Sequence, residues 1–248
     1  MITRKSIQND LKSIGLQLGD TVLVHSSFKA IGSDSLTPTD VIYAILDCIG
    51  KNGTILMPSL SYRQNPPSFH DTNNTPSNIG IIPETFRKIE GVFRSFHPTH
   101  SVCGMGPKSK EYLGEHYIDR TPCGSFSPFR KILFTDAKIL MLGCGLRPNT
   151  TFHAIEEIIG TPYLFGDETV YNIVGNDGKT NTLTYRQHGF LGWQQEYQRV
   201  ESLLPKDAIS TRSIGNARSH LIITKSLFAV ALEHLSKNRF TFVSQNNT

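Results

Sequence analysis

Near the start of the chain, apolar residues fall at helical spacing. Ile7, Leu11 and Ile14 lie four and three apart, between a capping Thr3 and Gly15. A short apolar run over 21–25 predicts a buried strand. Thr37-Pro38-Thr39-Asp40 reads as a capping box with proline at the first helical position. Val41, Ile42, Ile45, Leu46 and Ile49 carry that helix to Gly50, and residues 53–57 predict a second strand closed by Pro58. Strand, helix and strand in this order favour a parallel α/β core.

The stretch 61–78 breaks the pattern, with Pro66, Pro67, Pro76 and several asparagines, anchored only by Tyr62 and Phe69. A structureless loop this long in a compact fold is usually functional or mobile. Pro83 restarts a short helix with Phe86 and Ile89. Lys138–Leu142 predicts a further buried strand, running into Gly143-Cys144-Gly145. Asn176-Asp177-Gly178 between apolar-patterned segments at 170–174 and 179–184 predicts a hairpin. The remaining pattern predicts a helix over 193–204, a strand over 218–223 and a helix over 225–235. No linker divides these elements, so a single domain over 1–248 is expected.

Composition narrows the class. With 38% hydrophobic and 19% charged residues in 248, the chain is neither disordered nor fibrous, and it shows no repeat or sustained heptad. Its apolar runs are too short to span a bilayer, and its opening residues Met1-Ile2-Thr3-Arg4-Lys5-Ser6 resemble no secretory signal. A soluble, cytoplasmic protein without membrane contact is expected. The net charge of +4 comes from 25 basic and 21 acidic residues scattered along the chain. Such scatter argues against a nucleic-acid partner and is compatible with a small anionic ligand. Cys48, Cys103, Cys123 and Cys144 form no CxxC pair and are expected as reduced thiols.

Five segments carry candidate chemistry. Val24-His25-Ser26-Ser27 follows a strand, where backbone N–H and hydroxyl groups can meet a ligand; a self-capping turn is the plainer reading. Arg94 reads as an anion fork, and His97 and His100 are spaced three apart. Pro98 between them breaks a helical metal pair, and no wider ligand set accompanies them, so no metal is expected. Ser127-Pro128 is a helix N-cap that leaves free N–H groups toward an anion, or simply a cap. Thr150-Thr151-Phe152-His153-Ala154-Ile155-Glu156-Glu157 opens a helix after a strand, with His153 and Glu156 on one face. A carboxylate on an imidazole fixes the ring and raises its basicity, as a general base requires, although an i,i+3 pair of this kind is often only a surface ion pair. Nothing around Cys123 or Cys144 marks a low-pKa thiol. Tyr185, Arg186 and His188 follow the hairpin and can line a sugar or form a polar rim.

Six collinear segments together resemble the aminoglycoside 3-N-acetyltransferase family: V-H-S-S at 24–27, G-T-x-x-M-P at 53–58, R-S-x-H-P-x-x-S-V at 94–102, G-x-x-S-P-F at 124–129, T-T-x-H-x-x-E-E at 150–157 and I-G-N-A at 214–217. The resemblance runs from about residue 3 to 243. It implies an α/β fold with a mixed, largely parallel central sheet and flanking helices in three layers. It also implies acetyl-CoA as co-substrate, a small amino-sugar acceptor and a homodimer. By the same resemblance, cofactor contacts fall on Ser26, Ser27, Phe28, Lys29, Ile31, Arg94, His97, Ser101, Ser127 and Phe129. The resemblance puts the catalytic pair on His153 and Glu156 with Thr151 beside them, and the expected acceptor contacts are Thr151, Tyr62, Tyr185 and His188. His153 then deprotonates the acceptor amine as it attacks the thioester directly, and Glu156 stabilises the imidazolium.

One departure bears on the acceptor. Aminoglycosides are polycations, whereas this chain is basic and places Tyr185, Arg186 and His188 where acids are expected. The favoured expectation is therefore a nucleotide-linked amino sugar of surface-polysaccharide synthesis. True aminoglycoside resistance is the alternative, and a non-catalytic CoA-binding protein the second.

Overall fold

A computed structural model describes residues 1–246. Twelve strands are β1 (Thr21–Ser26), β2 (Thr54–Pro58), β3 (Phe69–Asp71), β4 (Phe93–Arg94), β5 (Val102–Met105), β6 (Lys138–Leu142), β7 (Phe165–Val174), β8 (Thr180–His188), β9 (Trp193–Gln195), β10 (Ile209–Ile214), β11 (Ala217–Ile223) and β12 (Val243–Gln245). The α-helices are α1 (Arg4–Ile14), α2 (Phe28–Ile31), α3 (Pro38–Ile49), α4 (Ile81–Arg87), α5 (Ser109–Leu113), α6 (Pro128–Lys131), α7 (Thr151–Ile159) and α8 (Thr224–Lys237).

Local chemistry sets the predicted boundaries. Thr3 and Ser6 close a reciprocal capping box on α1, and Gly15 ends it in the left-handed region at φ 113°. Thr37 and Asp40 do the same for α3 behind Pro38. The segment predicted as a helix over 193–204 is instead β9 followed by a 3-10 helix, Tyr197–Ser202. Pairing of β9 with β12, 48 or more residues later, overrides the local apolar spacing there.

The main sheet has strand order β10-β11-β6-β1-β2-β5-β4. Pairing is parallel at its centre, where β1 lies between β2 and β6, and antiparallel toward both edges. The mixed sheet with flanking helices agrees with the expected fold. Its parallel part is the three central strands, while the outer strands β4–β5 and β10–β11 pair antiparallel as sequence neighbours.

Alternation along the central strands separates two cores. Val22, Val24, Ile55, Met57, Leu140 and Leu142 point to one side and pack with Ile7, Leu11 and Ile45 of α1 and α3. Leu23, Leu56, Ile139 and Met141 point to the other and pack with Phe129, Phe152 and Leu227 of α6, α7 and α8. A strand whose two faces are both buried reads as a continuous apolar run, which is why these three were legible as strands. At roughly 25 cal/mol per Å² of apolar area, each fully buried Leu or Ile contributes about 1.5–3 kcal/mol. A smaller sheet of β3, β7 and β8 and a two-stranded β9–β12 ribbon complete the described residues. No described helix is long and apolar enough to cross a membrane.

Candidate active site

The carboxyl ends of β1 and β6 open beside the start of α7, and a cavity of about 510 Å³ forms there. In an α/β sheet this is where loops leave parallel strands and ligands gather. Gly143, at φ 66°, lets the chain turn away from β6; a Cβ there would lie 2.7 Å from that of Ala30 and 2.8 Å from that of Ala217. Asn149 accepts from the backbone N–H and hydroxyl of Thr151 and so starts α7. His153 then stands in the first turn, on the cavity wall with His25, Ser26, Tyr62, Arg147 and Tyr197.

Behind His153 lies a closed hydrogen-bond network. The Tyr197 hydroxyl donates to Glu156 Oε2 at 2.8 Å and stands 2.9 Å from His153 Nδ1. The Tyr163 hydroxyl donates to Glu156 Oε1 at 2.8 Å. His153 Nδ1 is 3.3 Å from Glu156 Oε2. Since both tyrosines spend their protons on the carboxylate, Nδ1 of His153 is the donor on this side and Nε2 keeps its lone pair. Glu156 is fully buried, so its acceptor sites are met by these groups rather than by water. Phe190, at φ 48°, lays its ring 5.0 Å from that of His153.

A second imidazole–carboxylate pair sits alongside. His188 Nε2 donates to Glu157 Oε1 at 2.8 Å, and Glu157 also accepts from the Thr121 hydroxyl and the Cys123 N–H. Burial raises the Glu157 carboxyl and drives His188 and His100 well below the ordinary imidazole range, with neighbouring histidines adding to the latter effect. Burial, helped by His153, takes His25 down to about 3. These rings are neutral at pH 7. Burial pushes the Cys144 thiol up to about 12 and raises the Cys123 thiol well above its ordinary value, so neither is a ready nucleophile.

The structure brings together His153, Glu156, Ser26 and Tyr62 and draws His188 and His100 close behind them. Ser27, Phe28 and Lys29 follow Ser26 on the turn into α2, half-buried or exposed. Other nominated residues lie outside the cavity wall, engaged as follows. Ile31 and Phe129 are packed in the two apolar cores. Arg94, read as an anion fork, is buried with no carboxylate partner among the described residues. It donates to Ser101 Oγ, Ser61 Oγ and the carbonyls of Ser59, Thr72 and Thr75, so it fastens the 59–78 loop. Ser101 donates in turn to the Ser59 carbonyl.

His97 Nδ1 accepts from the N–H groups of Thr99 and His100, which makes it a turn former. Ser127 is buried and caps α6 through the Phe129 N–H. The Thr151 hydroxyl is spent on Asn149. Tyr185 is fully buried in a small cluster with Tyr171 and Ile173, under Arg120. Sequence reasoning missed Tyr197, Tyr163, Glu157 and Arg147. Glu157 was present in the T-T-x-H-x-x-E-E string, whereas Tyr197 is 44 residues from His153 and carries no local signal.

A family model described as aminoglycoside 3-N-acetyltransferase matches residues 23–236. The SPbeta prophage-derived aminoglycoside N(3')-acetyltransferase-like protein YokD of Bacillus subtilis (strain 168) is 34% identical over 176 residues, 62% of this chain and 64% of that protein. This match therefore spans just under two thirds of that relative. The crystal structure of YokD superposes with a TM-score of 0.83 at 28% identity, covering 97% of this chain and 95% of the other. Aminoglycoside N(3)-acetyltransferase IV of a Salmonella species is 26% identical over 94% of this chain and 87% of its own length. A mutant of aminoglycoside acetyltransferase AAC(3)-IVa in complex with a gentamicin gives a TM-score of 0.84 at 25% identity, over 97% and 91% of the two chains.

These matches overturn the favoured nucleotide-sugar acceptor, and the site shows why the charge argument failed. Tyr185 is buried away from the cavity, Arg186 stacks on Phe165 at 4.5 Å, and His188 is a neutral ring held by Glu157. The supposed cationic wall does not line the cavity.

Proposed function

Because the chain belongs to the aminoglycoside 3-N-acetyltransferase family, whose members are CoA-dependent acyltransferases, we propose that it transfers the acetyl group of acetyl-CoA to an amine of an aminoglycoside. The observation that carries this reading is the His153–Glu156–Tyr197 network on the wall of a cavity at the carboxyl ends of β1 and β6.

Acetyl-CoA is the co-substrate of these enzymes. Ser26 and the turn after β1, with Arg147 as the cation on the cavity wall, are the groups of this chain suited to hold it. His153 Nε2 accepts the proton of the acceptor ammonium, and the amine nitrogen attacks the thioester carbonyl. The C–S bond then breaks as the amide forms, and the CoA thiolate takes the second proton that the nitrogen releases. Glu156 stabilises the imidazolium while Tyr197 holds the ring. Base catalysis supplies roughly 10²–10⁴-fold, and alignment of the two substrates much of the rest. No covalent enzyme intermediate is needed, in keeping with the raised cysteine pKa values. The whole chain acts as a single domain, and a homodimer follows from the family likeness.

The test follows free thiol released from acetyl-CoA with a panel of aminoglycosides, wild type beside His153→Ala. Turnover with aminoglycosides that is lost in the variant is expected. Absence of turnover with every aminoglycoside by protein that binds CoA refutes the reading. Expression in a sensitive bacterium should raise the inhibitory concentration of the same drugs.

A further inference from the structure

Three histidines from distant parts of the chain converge beside the cavity. His100 lies in the turn after β4, His153 in the first turn of α7 and His188 at the end of β8. One ring nitrogen from each lies within 4.8 Å of the other two. His100 is buried, and the side chains of His188 and His153 are 4% and 13% exposed.

Their tautomers are fixed from behind. Glu157 already accepts from Thr121 and Cys123, and as a carboxylate it requires Nε2 of His188 to donate; Nδ1 is left with a lone pair. That Nδ1 is buried and has no hydrogen-bond partner among the described residues. Thr99 Oγ1 donates to Gln187 Oε1 and accepts from His100 Nδ1, so Nε2 of His100 is an acceptor, met by the Tyr62 hydroxyl at 3.2 Å. His153 donates through Nδ1 to the Tyr197–Glu156 network and keeps its lone pair on Nε2. Each imidazole thus presents an acceptor nitrogen and is held by an oxygen partner on its other nitrogen. This is the outer-shell arrangement seen behind metal-bound histidines.

We propose that His100, His153 and His188 form a binding site for a divalent zinc-like metal ion. Three atoms within 4.8 Å of one another fit inside a circle of radius about 2.8 Å, so inward movement of at most about 0.7 Å per ring brings each to the Zn–N distance of about 2.0–2.1 Å from its centre. Three neutral imidazoles suit zinc, copper or nickel and disfavour magnesium or calcium. The fourth position faces Tyr62, whose hydroxyl gives up its bond to His100 or is replaced by water. The ion is not a cofactor of acetyl transfer. It takes the lone pair that His153 needs as a base, and so its occupancy inhibits; this consequence rests on the proposed acetyltransferase reading, whereas metal binding itself does not.

The test uses full-length, untagged protein stripped with a chelator and titrated with Co²⁺, then Zn²⁺. One equivalent of Co²⁺ giving the intense visible bands of a four-coordinate site, bleached by Zn²⁺, is expected. His188→Ala and His100→Ala should weaken Zn²⁺ binding by more than the about 10–100-fold typical of outer-shell changes, with thermal melts confirming the fold. His153→Asn, at the most exposed of the three, serves if those variants do not fold. Only the weak absorption of hydrated, six-coordinate Co²⁺ in the wild type overturns the proposal, as does unchanged Zn²⁺ affinity in the folded variants. Both readouts are independent of acetyl transfer, so failure of the metal site and failure of the acetyltransferase reading are distinguishable.

Discussion

Replacing Glu156 by glutamine isolates the role of its charge. The side chain is fully buried, and its oxygens hold Tyr163 and Tyr197 at 2.8 Å and His153 at 3.3 Å. Glutamine keeps the shape and can still pair with both tyrosines. It removes the negative charge that faces the imidazolium formed when His153 takes a proton. At 3.3 Å and an effective dielectric of about 20, the lost attraction is about 5 kcal/mol before reorganisation. If the amide also turns its nitrogen toward His153, Nδ1 becomes an acceptor and the proton moves to Nε2, where it blocks base function. Loss of imidazolium stabilisation alone predicts a fall in kcat of about 10²-fold, and tautomer inversion extends it toward about 10⁴-fold. Stopped-time assays of thiol release under saturating acetyl-CoA measure the fall, with circular dichroism to verify folding. A folded Glu156→Gln enzyme within about tenfold of wild type refutes the assignment of His153 and Glu156 as a coupled base, because one pKa unit, about 1.4 kcal/mol, already amounts to tenfold.

Further expectations concern stability and the thiols. His25, His70 and His116 are each lowered to about 3 by burial. The unfolded chain binds more protons than the folded one between about pH 3 and 6.5, so stability present above 6.5 is lost as pH falls through that window. Each ring contributes about 1.4 kcal/mol per pH unit; urea midpoints should drop steeply from pH 7 to 5, and a flat profile contradicts neutral burial. Arg94→Ala strands the carbonyls of Thr72 and Thr75 at about 1–3 kcal/mol each, while Ser101 still donates to that of Ser59, predicting a Tm lower by at least about 4 °C in a melt. Cys144→Ser should leave turnover unchanged, and its loss would revive a covalent route. Tyr197→Phe should lower kcat more than it raises KM, because the hydroxyl orients the base without holding the ligand; the opposite split in steady-state kinetics rejects that role.

Much of the architecture could be read from local pattern. Thr3, Gly15, Thr37 and Pro38 mark helix ends by hydrogen bonds made within four residues, and those boundaries hold. The central strands read as apolar runs because both their faces meet helices. His153 and Glu156 share one helical turn, so their pairing was visible in the spacing as well as in the family resemblance. The helix expected over 193–204 failed because β9 owes its form to β12, a partner that no local window contains.

Long-range contact likewise decided what the nominated polar residues do. Arg94 in a polar string looks like an anion fork, yet the 59–78 loop folds over it and takes four of its five donors, with Ser101 taking the fifth. Tyr197 reaches His153 from 44 residues away, and the rings of His100, His153 and His188 meet only because a turn, a helix start and a strand end converge at one place. Cationic letters near the hairpin suggested an anionic acceptor, but folding turned Tyr185 inward and left His188 neutral. Sequence determined most of the elements, the family and the His153–Glu156 spacing, since those depend on pattern along one segment. Tertiary structure decided which donors remain free and which charges survive burial, because desolvation and partner geometry are set by residues far apart in the chain.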